Sequence, residues 1–174
     1  MRATPAEVAA ALPGDDEVPD ASVVMDRAVT VDAAPERVWP WLVQLGKRRA
    51  GWYLPTAVER VVPRRRRALR RLDPRWTTLA VGDVVPDYGS ADATFTVAAL
   101  EAPHHLVYTS VRGHLRLSWA LVLSPAGSGT RLQLRLRIAG VRRPWLADTL
   151  GSWFDLLTVA GMAAGLRERI AATR

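Results

Sequence analysis

Two stretches separated by "SPAGSG" constrain this chain more than any other feature. In "HLRLSWALVL" (114–123), Leu115, Leu117, Trp119, Leu121 and Leu123 fall on alternate positions. In "TRLQLRLRIA" (130–139), Leu132, Leu134, Leu136 and Ile138 alternate with Arg131, Gln133, Arg135 and Arg137. A period of two puts the apolar set on one side of a strand, whereas a helix would scatter it around its axis. The turn-rich linker joins the two as a hairpin, with one covered face and one polar face. "DATFTVAALE" (92–101) and "HLVYTSV" (105–111), joined by "APH", extend the run of strands. "VGDVVPDY" (81–88) is broken by Pro86 and suits an edge or bulged strand, and "VVMDRAVTV" (23–31) supplies the first strand.

The leucine face needs a cover, and the chain offers one at its end. From Pro144 to Ala172 the pattern is helical, about 40 Å long at 1.5 Å per residue. Leu146, Leu150, Trp153, Leu157, Gly161 and Ala164 form one stripe, while Phe154, Val159 and Met162 lie opposite, so burial on two sides is expected. The small residues Ala160, Gly161, Ala163, Ala164 and Gly165 leave two readings open: a larger space beneath the helix, or a homodimer seam where a second copy approaches.

Between the first strand and the others, "DAAPERVWPWLVQLG" (32–46) reads as a helix, with Pro35 in its first turn and Gly46 at its end. Val38, Trp41, Leu42 and Leu45 make its core stripe. Trp39 faces another way, and Pro40 removes one backbone donor. A second short helix is expected within "YLPTAVERVV" (53–62). Residues 1–22, with "PGDDEVPD" as turn-rich punctuation, read as a weakly structured lead-in to a single domain spanning 23–174. The expected fold is α+β: a curved antiparallel sheet wrapped around a long C-terminal helix, with two short helices after the first strand. A helix laid across a curved sheet fills the concavity incompletely, which leaves a mostly apolar pocket between them.

The formal net charge is +7, and all but Lys47 of the 24 basic residues are arginine. "RVVPRRRRALRRLDPR" (60–75) carries eight arginines against one acid, Asp73, and so accounts for the excess. It reads first as a solvated face. The alternative is a surface for nucleic acid, anionic lipid or an acidic partner through Arg64, Arg65, Arg66 and Arg67. The absence of cysteine excludes disulfides, thiolate metal sites and cysteine nucleophiles. The first residues do not form a signal peptide, and the apolar run Leu156–Leu166 is far shorter than the ~20 residues of a membrane span. A cytoplasmic protein that is not transmembrane is therefore expected.

His104, His105 and His114 lack helical metal-pair spacing, although His114 facing His105 across a hairpin stays open. There is no nucleophile elbow, P-loop or dinucleotide fingerprint, and "DVVPDYGSAD" (83–92) reads as a polar hairpin rather than a calcium loop. Neither a metal nor an organic cofactor is expected, and no acid or base can be placed facing a cavity.

"LPGDDEVPD", "VMDRAVTVDAAPERVWPWLVQLGKRRAGWY", "LAVGDVVPD" and the "SWALVLSP" hairpin resemble the START-like, helix-grip (SRPBCC) superfamily, near its bacterial polyketide cyclase/dehydrase-like members. The resemblance implies a helix-grip fold and a superfamily that includes lipid carriers, aromatase/cyclases, hormone receptors and co-chaperones. In that arrangement the expected ligand wall is Trp52, Tyr53, Phe95, Trp119, Trp153 and Leu157, with Arg48 and Arg49 near the cavity mouth. The aromatics could also fill the core solid. Three functions stay open: a small-molecule binder for an apolar, aromatic or lipid-like ligand, a polyketide aromatase/cyclase-type enzyme, or an interaction protein using 60–75.

Overall fold

The computed structural model describes residues 2–88, 92–141 and 152–173, with side chains in the last segment from Thr158 onward. Six antiparallel strands form one sheet: β1 (Val23–Val31), β2 (Val84–Pro86), β3 (Thr94–Glu101), β4 (His105–Arg112), β5 (Leu115–Ala126) and β6 (Gly129–Ala139), in the order β1-β6-β5-β4-β3-β2. Among the described residues, the helices α1 (Pro5–Ala9), α2 (Pro35–Gln44), α3 (Thr56–Glu59) and α4 (Ser152–Ala172) accompany them, with a 3₁₀ turn at Arg64–Arg66. This is the expected α+β grip, and the Arg-rich segment contributes only that one helical turn. The expected start of the last helix at Pro144, with Leu146 and Leu150, lies outside the described residues.

The alternation in β5 and β6 sets the register. Leu117 pairs with Ile138, Trp119 with Leu136, Leu121 with Leu134 and Leu123 with Leu132, so the leucine rows share the inner face. They meet a core built from Val38, Trp41 and Leu42 of α2 and from Val159, Met162, Ala163, Leu166 and Ile170 of α4. Trp41 is fully buried, whereas Trp39 is only half-buried against the core. α2 runs unbroken through Pro40.

Within the described half of α4, the core stripe passes through Val159, Met162, Leu166 and Ile170, rather than through Gly161 and Ala164. Those two positions are half-buried, and Gly161 faces Leu54, the residue after the Trp52-Tyr53 pair. At Gly165 the backbone of Leu54 comes so close that an added Cβ would lie 2.6 Å from its nitrogen. The small residues thus admit the chain's own neighbouring segment.

His105 pairs with Val122 while His114 lies in the β4–β5 turn, so the two histidines do not face each other across the hairpin. Among the described residues, no helix is long and apolar enough to cross a membrane.

Residues 2–22 are far more ordered than the lead-in expected from sequence. Thr4 and Glu7 form a reciprocal cap on α1, and the segment lies on the outer face of the sheet. The outward-pointing arginines hold it there. Arg135, only 4% exposed, donates to the carbonyls of Glu7, Val8 and Ala10 and pairs with Asp15 and Asp26. Arg131 binds Glu7, and Arg137 donates to the Val18 carbonyl. Sequence periodicity places these arginines on the solvent side, but the first 22 residues return over them, burying Arg135 and half-burying Arg131 and Arg137.

The Arg131 guanidinium, hydrogen-bonded to Glu7, holds its carboxyl down from 4.5 to about 2. A carboxylate with a depressed folded pKa contributes stability that is present above its unfolded value and lost as pH falls through the folded one. Wild type is therefore expected to melt above a Glu7→Gln variant near neutral pH, with the gap closing between pH 4.5 and 2. A gap that persists unchanged at pH 3 would show that the pair is not what latches the segment.

Candidate functional site

The turn between α2 and α3 builds one wall of the concavity. Gly46 and Gly51 bridge each other through two backbone hydrogen bonds, and Gly51 sits at φ 87°. A side chain at Gly51 would strike the Ala68 backbone at 2.9 Å, so only glycine lets the Arg-rich segment pack against this turn. The chain leaves the turn outside any helix or strand, and its next two side chains, Trp52 and Tyr53, take different directions.

Tyr53 enters the closed core. It is fully buried, edge-on to Trp41 with ring centroids 5.9 Å apart, accepts from Gln44 Nε2 and donates to the Trp41 carbonyl. Burial pushes its phenol well above the usual tyrosine range. Trp52 goes the other way, across the concavity, and its Nε1 donates to the Thr158 carbonyl of α4 at 3.3 Å.

Sheet register supplies the opposite wall. Tyr108 on β4 pairs directly with Trp119 on β5, which in turn pairs with Leu136 on β6. Phe95 on β3 is the diagonal neighbour of Tyr108 on the same face. Trp52 stacks on Trp119 (6.1 Å, 27°) and Trp119 on Tyr108 (5.9 Å, 23°), with Phe95 tilted against both strand aromatics. Tyr88 closes the row edge-on to Trp52 at 6.3 Å. Burial raises the Tyr108 phenol to about 12, so it stays neutral at physiological pH.

This cluster divides the concavity without filling it. An open pocket of about 140 Å³ lies between Trp52, Phe95, Trp119 and Leu136 on one side and Thr158 and Val159 of α4 on the other. A second space of only about 30 Å³ lies on the α2 side, against Leu42, Leu45, Val85 and Tyr108. Asp87 borders both. Its carboxylate pairs with Arg112 at 2.5 Å, and Arg112 lies over the Phe95 ring at 5.2 Å. Lys47 Nζ donates to the Asp87 carbonyl at 2.7 Å. A mostly apolar chamber with a few polar groups at its edge suits an organic ligand with one oriented polar function.

Of the residues expected at the ligand wall, Trp52, Phe95 and Trp119 come together. Tyr53 is placed in the core and borders neither space. The side chains of Trp153 and Leu157 lie outside the described residues.

Sequence reasoning missed Tyr108, Leu136, Tyr88 and the Asp87–Arg112 pair. Tyr108 and Leu136 carried a usable signal. The two-residue loop Gly113-His114, with Gly113 at φ 60°, sets a register that puts Tyr108 opposite Trp119. Asp87 carried none, because "DVVPDYGSAD" reads as a solvent-facing hairpin until β2 is seen on the sheet edge beside Phe95.

The fold is shared with bacterial proteins of known structure. The chain resembles protein MLL2253 from Mesorhizobium loti (TM-score 0.56, 18% identity, covering 87% of this chain and 99% of that one). It also resembles a Rhodobacter sphaeroides protein (TM-score 0.57, 17% identity, 90% and 97%) and protein NE0264 from Nitrosomonas europaea (TM-score 0.56, 13% identity, 88% and 97%). At these identities the likeness concerns the fold alone. No curated protein matches the chain. Residues 22–173 match the family described as polyketide cyclase / dehydrase and lipid transport. With the grip fold and its aromatic chamber in place, that match over most of the sequence shows that the chain belongs to this SRPBCC-type family.

Proposed function

We propose that this protein binds a small apolar ligand carrying a planar or ring-sized group, held between the sheet and α4 with Trp52 and Trp119 against it. One observation carries the reading: the open pocket of about 140 Å³ bounded by Trp52, Phe95, Trp119 and Leu136, with Asp87 at its edge. The space is open on one side, and its volume is that of about one ring or a short length of chain. Larger ligands would need Trp52 to swing out, which breaks its hydrogen bond to the Thr158 carbonyl of α4. Membership of a family whose description includes lipid transport supports the same class of ligand.

The test is titration of purified protein with naphthalene and 2-naphthol, read by tryptophan fluorescence, alongside native mass spectrometry for co-purified small molecules. Wild type should respond saturably. Leu136→Trp, which places an indole in the cavity, should reduce the affinity at least tenfold while leaving the circular dichroism unchanged. A wild-type protein that neither responds nor carries a ligand would sink the proposal.

A second reading has its own observation. Asp87 places a carboxylate at the chamber's edge with Arg112 paired to it, as a cyclase acting on a polyketone chain would need for a base and for a fixed cation beside a developing enolate. Asp87→Asn separates the two, since a binder retains ligand affinity whereas an enzyme loses turnover of a bound poly-β-ketone.

A further inference from the structure

The geometry points to an oxyanion site, of the phosphoryl class, in a basic cleft beside the aromatic chamber. The cleft measures about 600 Å³ and lies between the 46–51 turn and the 3₁₀ segment, lined by Lys47, Arg48, Arg49, Arg65, Arg66 and Arg67. Among the described residues no acidic side chain lines it.

The partnering of arginine elsewhere in this molecule makes the cleft unusual. Arg70, Arg75, Arg112, Arg131, Arg135 and Arg169 each hold a carboxylate. Arg48, Arg49, Arg65, Arg66 and Arg67 have none within ion-pair distance among the described residues. Cations gathered without counter-charge repel one another, so something must hold them together. Backbone and packing contacts do so. Leu69 N donates to the Ala50 carbonyl at 2.7 Å, Gly51 seats Ala68, and Arg67 caps the Val62 and Arg60 carbonyls.

Two residues carry the argument further. Arg49 donates through Nη2 to the carbonyls of Val43 and Trp76 and lies over the Trp76 ring, which pins its guanidinium, while its buried Nε has no partner. Arg48 is exposed at φ 61°, a left-handed backbone where glycine is at home. Backbone strain of this kind gathers at ligand-binding sites.

A phosphoryl group suits this cleft because guanidinium forks match its oxygens bidentately. Lys47 and Tyr88 line both the cleft and the aromatic side of the concavity. An amphiphile with a phosphorylated head and an apolar body could span the two. That extension rests on the ligand reading above, whereas the anion site itself does not.

Calorimetric titration with inorganic pyrophosphate tests the anion site alone. Wild type should bind it, more weakly as salt rises. The Arg65→Ala, Arg66→Ala double variant should lose at least tenfold in affinity. Arg48→Gly should lose several-fold with no fall in melting temperature, because glycine relieves the backbone and misfolding cannot explain the loss. Leu136→Trp should leave pyrophosphate binding unchanged, so failure of the chamber and failure of the cleft are distinguishable.

Soluble 1-naphthyl phosphate against vesicles containing phosphatidylglycerol then separates a soluble ligand from a lipid headgroup. The proposal is overturned if pyrophosphate does not bind, or binds equally to the variants. It is also overturned if only a single-stranded DNA oligomer binds, which would make the surface a nucleic-acid contact.

Discussion

Replacing Glu59 with alanine is expected to lower the unfolding free energy by about 3–5 kcal/mol, since it leaves a buried charge without its partner. The charge is that of Arg169 on α4, which is fully buried. Its Nη2 pairs with Glu59 Oε1 at 2.5 Å, and its other nitrogens donate to the carbonyls of Leu54, Gly165 and Leu69. The guanidinium also lies over the Tyr53 ring at 4.6 Å. One side chain therefore ties the last helix to α3, to the segment after Trp52 and to the end of the Arg-rich stretch. Glu59 has a second partner in Arg70, but Arg70 also holds Glu168, so the loss of Glu59 falls on Arg169. Urea denaturation of Glu59→Ala measures the cost directly. The double variant Glu59→Leu, Arg169→Met should recover much of it, because apolar replacements of similar volume remove the desolvation penalty along with the attraction. A loss below 1 kcal/mol for Glu59→Ala would mean that water reaches Arg169 and that the pair is not closed.

Gly165→Ala is expected to destabilise by about 1–3 kcal/mol, although alanine is the better helix former by about 1 kcal/mol. The added methyl would meet Leu54 N, C and O at 2.6–2.7 Å, and these are backbone atoms that no rotamer change can move aside. To make room, the segment carrying Trp52 has to shift, so Trp52 should lose its stack on Trp119. The variant should thus melt several degrees lower and bind naphthalene more weakly. Gly161→Ala is the control on the same helix. Its nearest neighbour is the Leu54 Cδ2 at 3.0 Å, the mobile end of a side chain, so the change should be close to neutral. Equal effects at the two glycines would refute the idea that backbone contact at Gly165 positions Trp52.

Both expectations concern the stretch between α2 and the Arg-rich segment, where sequence reasoning succeeded least. In "WPWLVQLGKRRAGWYL" the helical spacing correctly separates Trp41, in the core, from Trp39, at its margin. No periodicity covers Trp52 and Tyr53, which follow a glycine turn outside any helix or strand and diverge. Which of the two enters the chamber depends on where Ala68 and α4 pack, and those contacts join residues far apart in the chain.

By itself the sequence determined the elements whose pattern is local. The leucine alternation on β5 and β6, the loop between them and the stripe of α2 each repeat at a period that one conformation alone can bury. From these follow the grip fold, the inner face and the presence of Phe95 and Trp119 on it. Only tertiary structure decided what meets across that face. Asp87, paired with Arg112, came to the chamber's edge, and the first 22 residues turned Arg131 and Arg135 from surface charges into latches, Arg135 fully buried. It also gathered five arginines from two loops into a cleft with no acid among the described residues that line it. The physical reason is the same each time. Burial and charge pairing depend on the distance between segments, and loop closure brings together residues between which no sequence period runs.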